Sequence, residues 1–255
     1  SLLDGVRDGY LINPTVVDAR TDITTKLLAD EGYAVISQGD EADEEQEETY
    51  FARDFEKKFF SEETNKMFVK TFMDNALRDP ITGEIGKGII FCVSRKHAAK
   101  ITQLLNVYAD MMFPGKYCSD FAMQITSDVM NAQTYTINFQ NNNLSGTTSF
   151  LEGYKSSKTR ICVTVGMMTT GYDCEDLLNI GLLRPIFSPT DFIQIKGRGT
   201  RKHDFIFKER NGGQEIVHKY PKETFKLFDF FGNCEYFEEK FDYDEVLTLP
   251  RFQGS

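Results

Sequence analysis

The sequence predicts an α/β fold in which helices cover both faces of a parallel sheet, preceded by a helical extension. Three observations lead there. Short strand-like runs recur at Gly88 to Val93, Phe121 to Thr126, Arg160 to Val165, Ile180 to Leu183 and Phe225 to Phe230, the first of them continuously apolar. Segments with apolar residues every three to four positions stand between several of them. The unbroken run Gly88 to Val93 lacks the polar alternation of a sheet with one wet face and suits a strand buried on both sides. With 255 residues and 40% hydrophobic content the chain fills one full-sized core, which excludes a disordered tail or a disulfide-stapled miniprotein.

In chain order, strands are expected at Tyr10 to Ile12 with Val16 and Val17, and at Tyr33 to Ile36, before an acidic block from Asp40 to Glu48. Seven carboxylates in nine residues repel one another and stay solvated, so 1–49 reads as a connector with an acidic loop. The block contains Asp40-Glu41-Ala42-Asp43, the letters of a helicase metal-binding box. Ser37-Gln38-Gly39 interrupts the apolar strand that such a box requires, and that reading is rejected. Phe51, Phe55 and Phe59, then Met67, Phe68, Phe72 and Met73, carry helical spacing and define an extension over 50–80, its second helix starting at Ser61. These phenylalanines read as core rather than as a platform for stacked bases. Asp79-Pro80 and Gly83 punctuate the chain before the main domain, 81–255.

In that domain Ser94 caps a helix whose apolar positions are Ala98, Ile101, Leu104, Leu105, Tyr108, Met111 and Met112. The Asn-rich stretch 131–143 reads as polar connection, followed by a short helix around Phe150 to Tyr154. Ser188-Pro189-Thr190-Asp191 combines a capping serine, proline at the first helical position and an acidic first turn. Ligands of such sheets gather at the carboxyl ends of the strands, so chemistry is expected in the loops after Val93, Thr126, Val165 and Leu183.

Composition narrows the function classes. The 39 acidic against 29 basic residues leave a net charge of −10, the reverse of a simple nucleic-acid-binding domain. Setting aside the seven acidic residues of the block leaves −3, so nucleic-acid contact requires a local basic strip. Lys96, Lys155, Lys158, Arg160, Lys196, Arg198, Arg201, Lys202 and His203 are its candidates. Five cysteines, none in a C-x-x-C pair, argue against a disulfide framework and a zinc ribbon and suit a reducing cytoplasm. Cys92 and Cys162 read as core filler, His97 and His203 as solvated, and His218 has no partner at metal-ligand spacing, so no metal site is expected. No run approaches a membrane span and no signal peptide opens the sequence, so a cytoplasmic protein is expected.

The richest chemistry lies in Gln194-Ile195-Lys196-Gly197-Arg198-Gly199-Thr200-Arg201. If the helix from Ser188 continues, Gln194, Gly197, Arg198 and Arg201 share one face and present two guanidinium groups beside an amide. A basic helix end suits the dipole equally well, but two glycines weaken a helix by roughly 1 kcal/mol each and need another reason. Arginine is suited to stabilising a transferring phosphoryl group. Thr169-Thr170-Gly171-Tyr172-Asp173 is a weaker signal, a small-residue turn that brings backbone close to a phosphate and an aspartate able to accept from a ribose hydroxyl.

Taken in order, GKGIIFCVSRKHA (Gly86 to Ala98), TTGYDCEDL (Thr169 to Leu177) and QIKGRGTR (Gln194 to Arg201) resemble motifs IV, V and VI of the second RecA-like domain of superfamily 2 helicases and translocases. LLRPIFSPTDFIQIKGRGTR, KLFDFFGNCEYFEE and the lead-in DGYLINPTVVDARTDI narrow the resemblance to the motor subunit of type I restriction enzymes. It implies a RecA-like fold in which Arg198 and Arg201 are arginine fingers and Gln194 lies near the nucleotide. By the same resemblance Gly171, Asp173 and Gly197 are expected to line the nucleotide side. Thr170 touches the nucleic-acid backbone, and Ser94, Arg95 and Ser127 face the tracked strand.

The same resemblance implies ATP and Mg2+ held mainly by a first RecA-like domain, double-stranded DNA as substrate, a nuclease domain in the same full-length chain, and methylase and specificity subunits as partners. No G-x-x-x-x-G-K-[ST] occurs: Gly86-Lys87 is followed by Gly88, and Ile81 stands where the first glycine belongs. By itself the chain is therefore expected to hydrolyse no ATP and cut no DNA. The alternatives are a degenerate lobe serving as a protein-interaction module, with the acidic block as its contact, or the motor lobe of another superfamily 2 helicase. A dehydrogenase is disfavoured because no GxGxxG follows an early strand.

Overall fold

The computed structural model describes residues 9, 11–20, 61–126, 130–148, 151–166, 173–186, 188–237 and 245–246. The expected strand at Tyr33 to Ile36, the acidic block and the helix around Phe51 to Phe59 lie outside them. Eleven strands and five helices are described: β1 (Pro14–Asp18), α1 (Glu62–Asn75), β2 (Gly88–Cys92), α2 (Arg95–Met112), β3 (Ala122–Gln124), α3 (Ala132–Gln140), β4 (Thr147–Thr148), β5 (Ser156–Ser157), β6 (Ile161–Thr164), β7 (Asn179–Leu183), α4 (Pro189–Gly197), β8 (Asp204–Asn211), β9 (Gln214–Pro221), β10 (Phe225–Asp229), α5 (Asn233–Phe237) and β11 (Glu245–Val246).

Seven strands form one sheet in the order β11-β1-β10-β7-β2-β6-β3, and every adjacent pair is parallel. The expected α/β class with helices on both faces is the one found. β2 and β7 are buried along their full length, as their unbroken apolar runs require. On one face α1 and α2 pack on Ile90, Cys92, Val163 and Phe228; on the other, Phe139 of α3 and Phe192 and Ile195 of α4 meet Ile89, Cys162 and Leu227. Burial raises the Cys92 thiol pKa, and Cys92 and Cys162 fill core as expected.

Pro14–Asp18, assigned from sequence to the connector, lies inside the sheet, in register with Phe225–Asp229. α1 likewise joins the main core: Phe68 packs edge-on to Phe230 and Phe72 against Phe228, with ring centroids 4.7 and 5.1 Å apart. Its start is local chemistry, the Ser61 hydroxyl accepting from the Thr64 N–H, and Ser94 and Ser188 cap α2 and α4 in the same way.

Two local expectations are corrected. Residues 151–154 form a bend and turn, while the helix of this region is α3, in the Asn-rich stretch. Its signal was faint because only Ala132 and Phe139 are buried in its nine residues. His97, read as solvated, is fully buried at the start of α2. Its Nδ1 accepts from the Val93 N–H and its Nε2 donates to Asn65 Oδ1 at 3.1 Å, so the ring is neutral. Burial, and Lys100 nearby, push its pKa down to about 3. The unfolded ring takes a proton near pH 6.5 and the folded one does not, so stability present above that pH falls as the solution is acidified. We expect a loss of about 2 kcal/mol from this group between about pH 8 and pH 5. Urea titrations of wild type and His97→Gln at both pH values check it; equal pH dependence in the two proteins refutes it.

β8 and β9 form a separate antiparallel hairpin, paired from Asp204↔Pro221 to Asn211↔Gln214. Gly212 and Gly213, with φ of 58° and 86°, make its two-residue turn. A Gly-Gly pair between two extended runs was the available sequence signal for it.

Candidate nucleotide and nucleic-acid site

The candidate residues divide between opposite edges of the sheet. At the carboxyl edge, Ser94 and Arg95 follow β2, and the Gln124 side-chain amide at the end of β3 donates to the Arg95 carbonyl and the Thr126 hydroxyl. This brings together the loops expected to face nucleic acid. Arg95 is exposed, whereas the Ser94 hydroxyl already accepts the His97 N–H as a helix cap. Ser127, Thr170 and Gly171 lie outside the described residues.

The arginine cluster lies at the amino edge, which corrects the expectation that all the chemistry gathers at the carboxyl ends. α4 starts beyond the carboxyl end of β7 and runs back across the sheet, ending beside the start of β10. The helix does not continue through Arg201. It ends at Gly197, with Arg198 as the capping residue, and the N–H groups of Gly199 and Thr200 turn back to the carbonyls of Lys196 and Gly197. Gln194 is exposed on the helix, Gly197 and Arg198 are half-buried, and Arg201 is exposed in the connection that leads to β8.

The glycine just beyond the helix end has a tertiary reason. A Cβ on Gly199 would lie 2.1 Å from Phe225 Cδ2, in the fully buried ring that opens β10. This glycine is therefore a packing requirement, a role sequence spacing alone did not reveal. We expect Gly199→Ala to destabilise the chain by about 3 kcal/mol, lowering the melting temperature by roughly 6–12 °C. A melting temperature within about 2 °C of wild type would refute the contact.

Arg201 reaches back to Asp173. Its Nε donates to Oδ1 at 3.0 Å and a terminal nitrogen to Oδ2 at 2.6 Å, a two-pronged ion pair between the Thr169–Asp173 and Gln194–Arg201 segments. Both side chains are about half exposed, at 54% and 44%. The pairing raises the Arg201 pKa through the hydrogen bond and charge of Asp173. Two of the five guanidinium N–H groups are thereby directed at Asp173, and the others remain for a ligand.

Beneath this pair is a lysine that the sequence did not single out. Lys222 is 5% exposed, and its Nζ donates to the carbonyls of Gly199 at 2.8 Å and Glu175 at 3.1 Å. Burial lowers its pKa to about 8, opposed by Cys174, Asp176 and Glu175. The proposed basic strip, by contrast, is dispersed. Arg160 is buried, donating to the Ile85 carbonyl and facing Asp79 at 3.7 Å, and Lys158 pairs with Asp120 at 2.9 Å.

No helix among the described residues is long and apolar enough to cross a membrane, and none of their His, Cys, Asp and Glu side chains group as a metal site. No family model matches the chain. It is 28% identical over 250 residues to the type I restriction enzyme EcoAI endonuclease subunit of Escherichia coli, covering 95% of this chain and 26% of that protein. It is 27% identical over 147 residues to the EcoKI endonuclease subunit of E. coli K12, covering 56% of this chain and 10% of that one. The chain thus spans about a quarter or less of the curated relatives it matches. Among solved structures, a fragment described as an HsdR subunit of a type I restriction enzyme from Vibrio vulnificus YJ016 superposes with a TM-score of 0.51 at 22% identity, covering 95% of this chain and 37% of that one, and so shares its fold. The chain is thus similar to the endonuclease subunits of type I restriction enzymes and shares a parallel α/β fold with a fragment described as one.

Proposed function

We propose that this chain is the second motor lobe of an ATP-dependent DNA translocase within a type I restriction endonuclease subunit. The observation that carries the reading is the Arg201–Asp173 pair, which ties the segment resembling motif V to the segment resembling motif VI and leaves guanidinium donors facing outward. Arg198, three residues earlier at the end of α4, supplies a second cation on the same stretch. On this reading ATP and Mg2+ are held mainly by a first RecA-like lobe, because the chain has no phosphate loop of its own. Closure of the two lobes brings Arg198 and Arg201 to the γ-phosphate, where they offset the charge of the transition state.

At the opposite edge, the loops after β2 and β3 contact the DNA backbone, through Arg95 first and with Ser94, Ser127 and Thr170 as further candidates. Such contacts are independent of sequence and weaken with salt. Gln194, Gly171 and Gly197 complete the nucleotide side. In domain terms, 81–255 acts as the lobe, with 1–49 and 50–80 before it, and residues 14–18 and 62–75 from those stretches complete its sheet and core. The full-length subunit, with its nuclease domain, then works with methylase and specificity subunits in the cytoplasm. By itself this lobe neither hydrolyses ATP nor cuts DNA.

The test is ATP hydrolysis by the full-length subunit assembled with its methylase and specificity partners on unmodified DNA. Arg198→Ala and Arg201→Ala are each compared with wild type. A loss of at least about a hundredfold in kcat, with nucleotide binding retained, is expected. The alternative, a degenerate lobe that binds another protein, is favoured by the protruding β8–β9 hairpin, which exposes Ile206, Ile216, Val217 and Tyr220. It gains ground if both variants hydrolyse ATP at the wild-type rate.

A further inference from the structure

We propose that Lys222 is the positioning residue of the arginine site, holding the segment that bears Arg201 against the segment that bears Asp173. This rests on the motor-lobe reading above. A buried ammonium has strong reason to donate every proton it can, since an unmet charge away from water is costly. Lys222 directs two protons at backbone carbonyls from two separate segments, Glu175 and Gly199, and lies 5.8 Å from the centre of the Phe225 ring. Glu175 is two residues after Asp173 and Gly199 two residues before Arg201. One side chain thus fixes the separation of the two strips of backbone from which the ion pair projects.

Neighbouring bonds keep the tether in place. The Lys222 N–H donates to the His203 carbonyl at 2.7 Å, closing the neck of the β8–β9 hairpin, and the His203 ring lies 3.8 Å from the Glu175 carboxylate. The Arg201–Asp173 pair is half exposed and carries little rigidity of its own, since a solvated ion pair spends much of its attraction on side-chain entropy. Its orientation therefore has to come from the buried bonds beneath it. Lys222 touches no nucleotide in this scheme and acts through Arg201.

The experiment is a double-mutant cycle in the full-length subunit assembled with its partners, measuring DNA-dependent ATP hydrolysis by wild type, Lys222→Met, Arg201→Ala and the double variant. Lys222→Met keeps the length and apolar stem but removes the donors. It is expected to lower kcat by about tenfold or more with KM for ATP changed by less than about threefold, and to cost nothing further in the Arg201→Ala background. Wild-type kcat in Lys222→Met overturns the proposal while leaving the arginine reading intact. So does an equal loss in both backgrounds, which marks a general structural role. Full activity of Arg201→Ala overturns the arginine reading and this inference with it. If Lys222→Met does not fold, Lys222→Arg takes its place in the cycle: a folded protein that keeps most of the wild-type rate supports the tether, and equal losses in both backgrounds overturn it.

Discussion

Lys87→Met is expected to destabilise the fold by about 3–5 kcal/mol, because it leaves the Asp176 carboxylate, only 14% exposed, without its counter-charge. Lys87 is 1% exposed, and its Nζ donates to Asp176 Oδ1 at 3.0 Å and to the Phe139 carbonyl at 2.6 Å. The ammonium also lies 4.6 Å from the centre of the Phe139 ring. Asp176 accepts in addition from the Asn142 side chain and from the Cys174 thiol. Burial alone would raise the Asp176 pKa, but the Lys87 charge and these hydrogen bonds outweigh it and hold the carboxyl well below the usual range. For Lys87, burial opposes the charge, and the neighbouring Cys174 and Asp176 raise its pKa despite it.

The pair ties the segment before β2 to the segment before β7 and to the end of α3, three stretches distant in sequence. Urea unfolding of wild type, Lys87→Met and Lys87→Met/Asp176→Asn measures the effect. The double variant, carrying no orphaned charge, is expected to recover part of the loss. A single-variant loss under about 1 kcal/mol would mean that water reaches Asp176 and relieves it.

The second large effect falls on rate rather than stability. Arg201→Ala is expected to leave the melting temperature nearly unchanged while slowing ATP hydrolysis by the assembled enzyme at least about a hundredfold, which corresponds to about 2.7 kcal/mol of transition-state stabilisation. The contrast follows from position. Arg201 and Asp173 are both about half exposed, so the free energy of their pairing is largely screened and folding does not depend on it. On the proposed motor-lobe reading the same guanidinium would act on a charged phosphoryl group in a closed, water-excluded cleft, where each interaction counts for more. A KM for ATP that rises with kcat unchanged would reassign Arg201 to ground-state binding. A collapse in stability would make it a structural residue.

The central sheet strands were legible in the sequence because they are specified by their own residues: GIIFC is apolar without interruption and ICVT nearly so, as burial on both faces favours. The starts of α1, α2 and α4 were legible for a similar reason, since a capping serine satisfies an N–H only three residues away. Arg198, Arg201 and Asp173 could be singled out by type and order, though not their geometry. What only the tertiary structure decided involves partners far apart in the chain. Position 199, just beyond the end of α4, has to be glycine because Phe225, twenty-six residues later, fills the space of a side chain. His97 reads as one more basic residue among lysines until Asn65 and the sheet enclose it. Lys222 becomes a tether only when Glu175 and Gly199 arrive together, and the strand expected at Val16 and Val17 finds its place in the main sheet only when β10 lies beside it. Periodicity and capping are short-range physics and are written locally. Burial of a charge, close packing against a glycine and the edge of the sheet on which a loop emerges depend on contacts between distant residues, which no local pattern encodes.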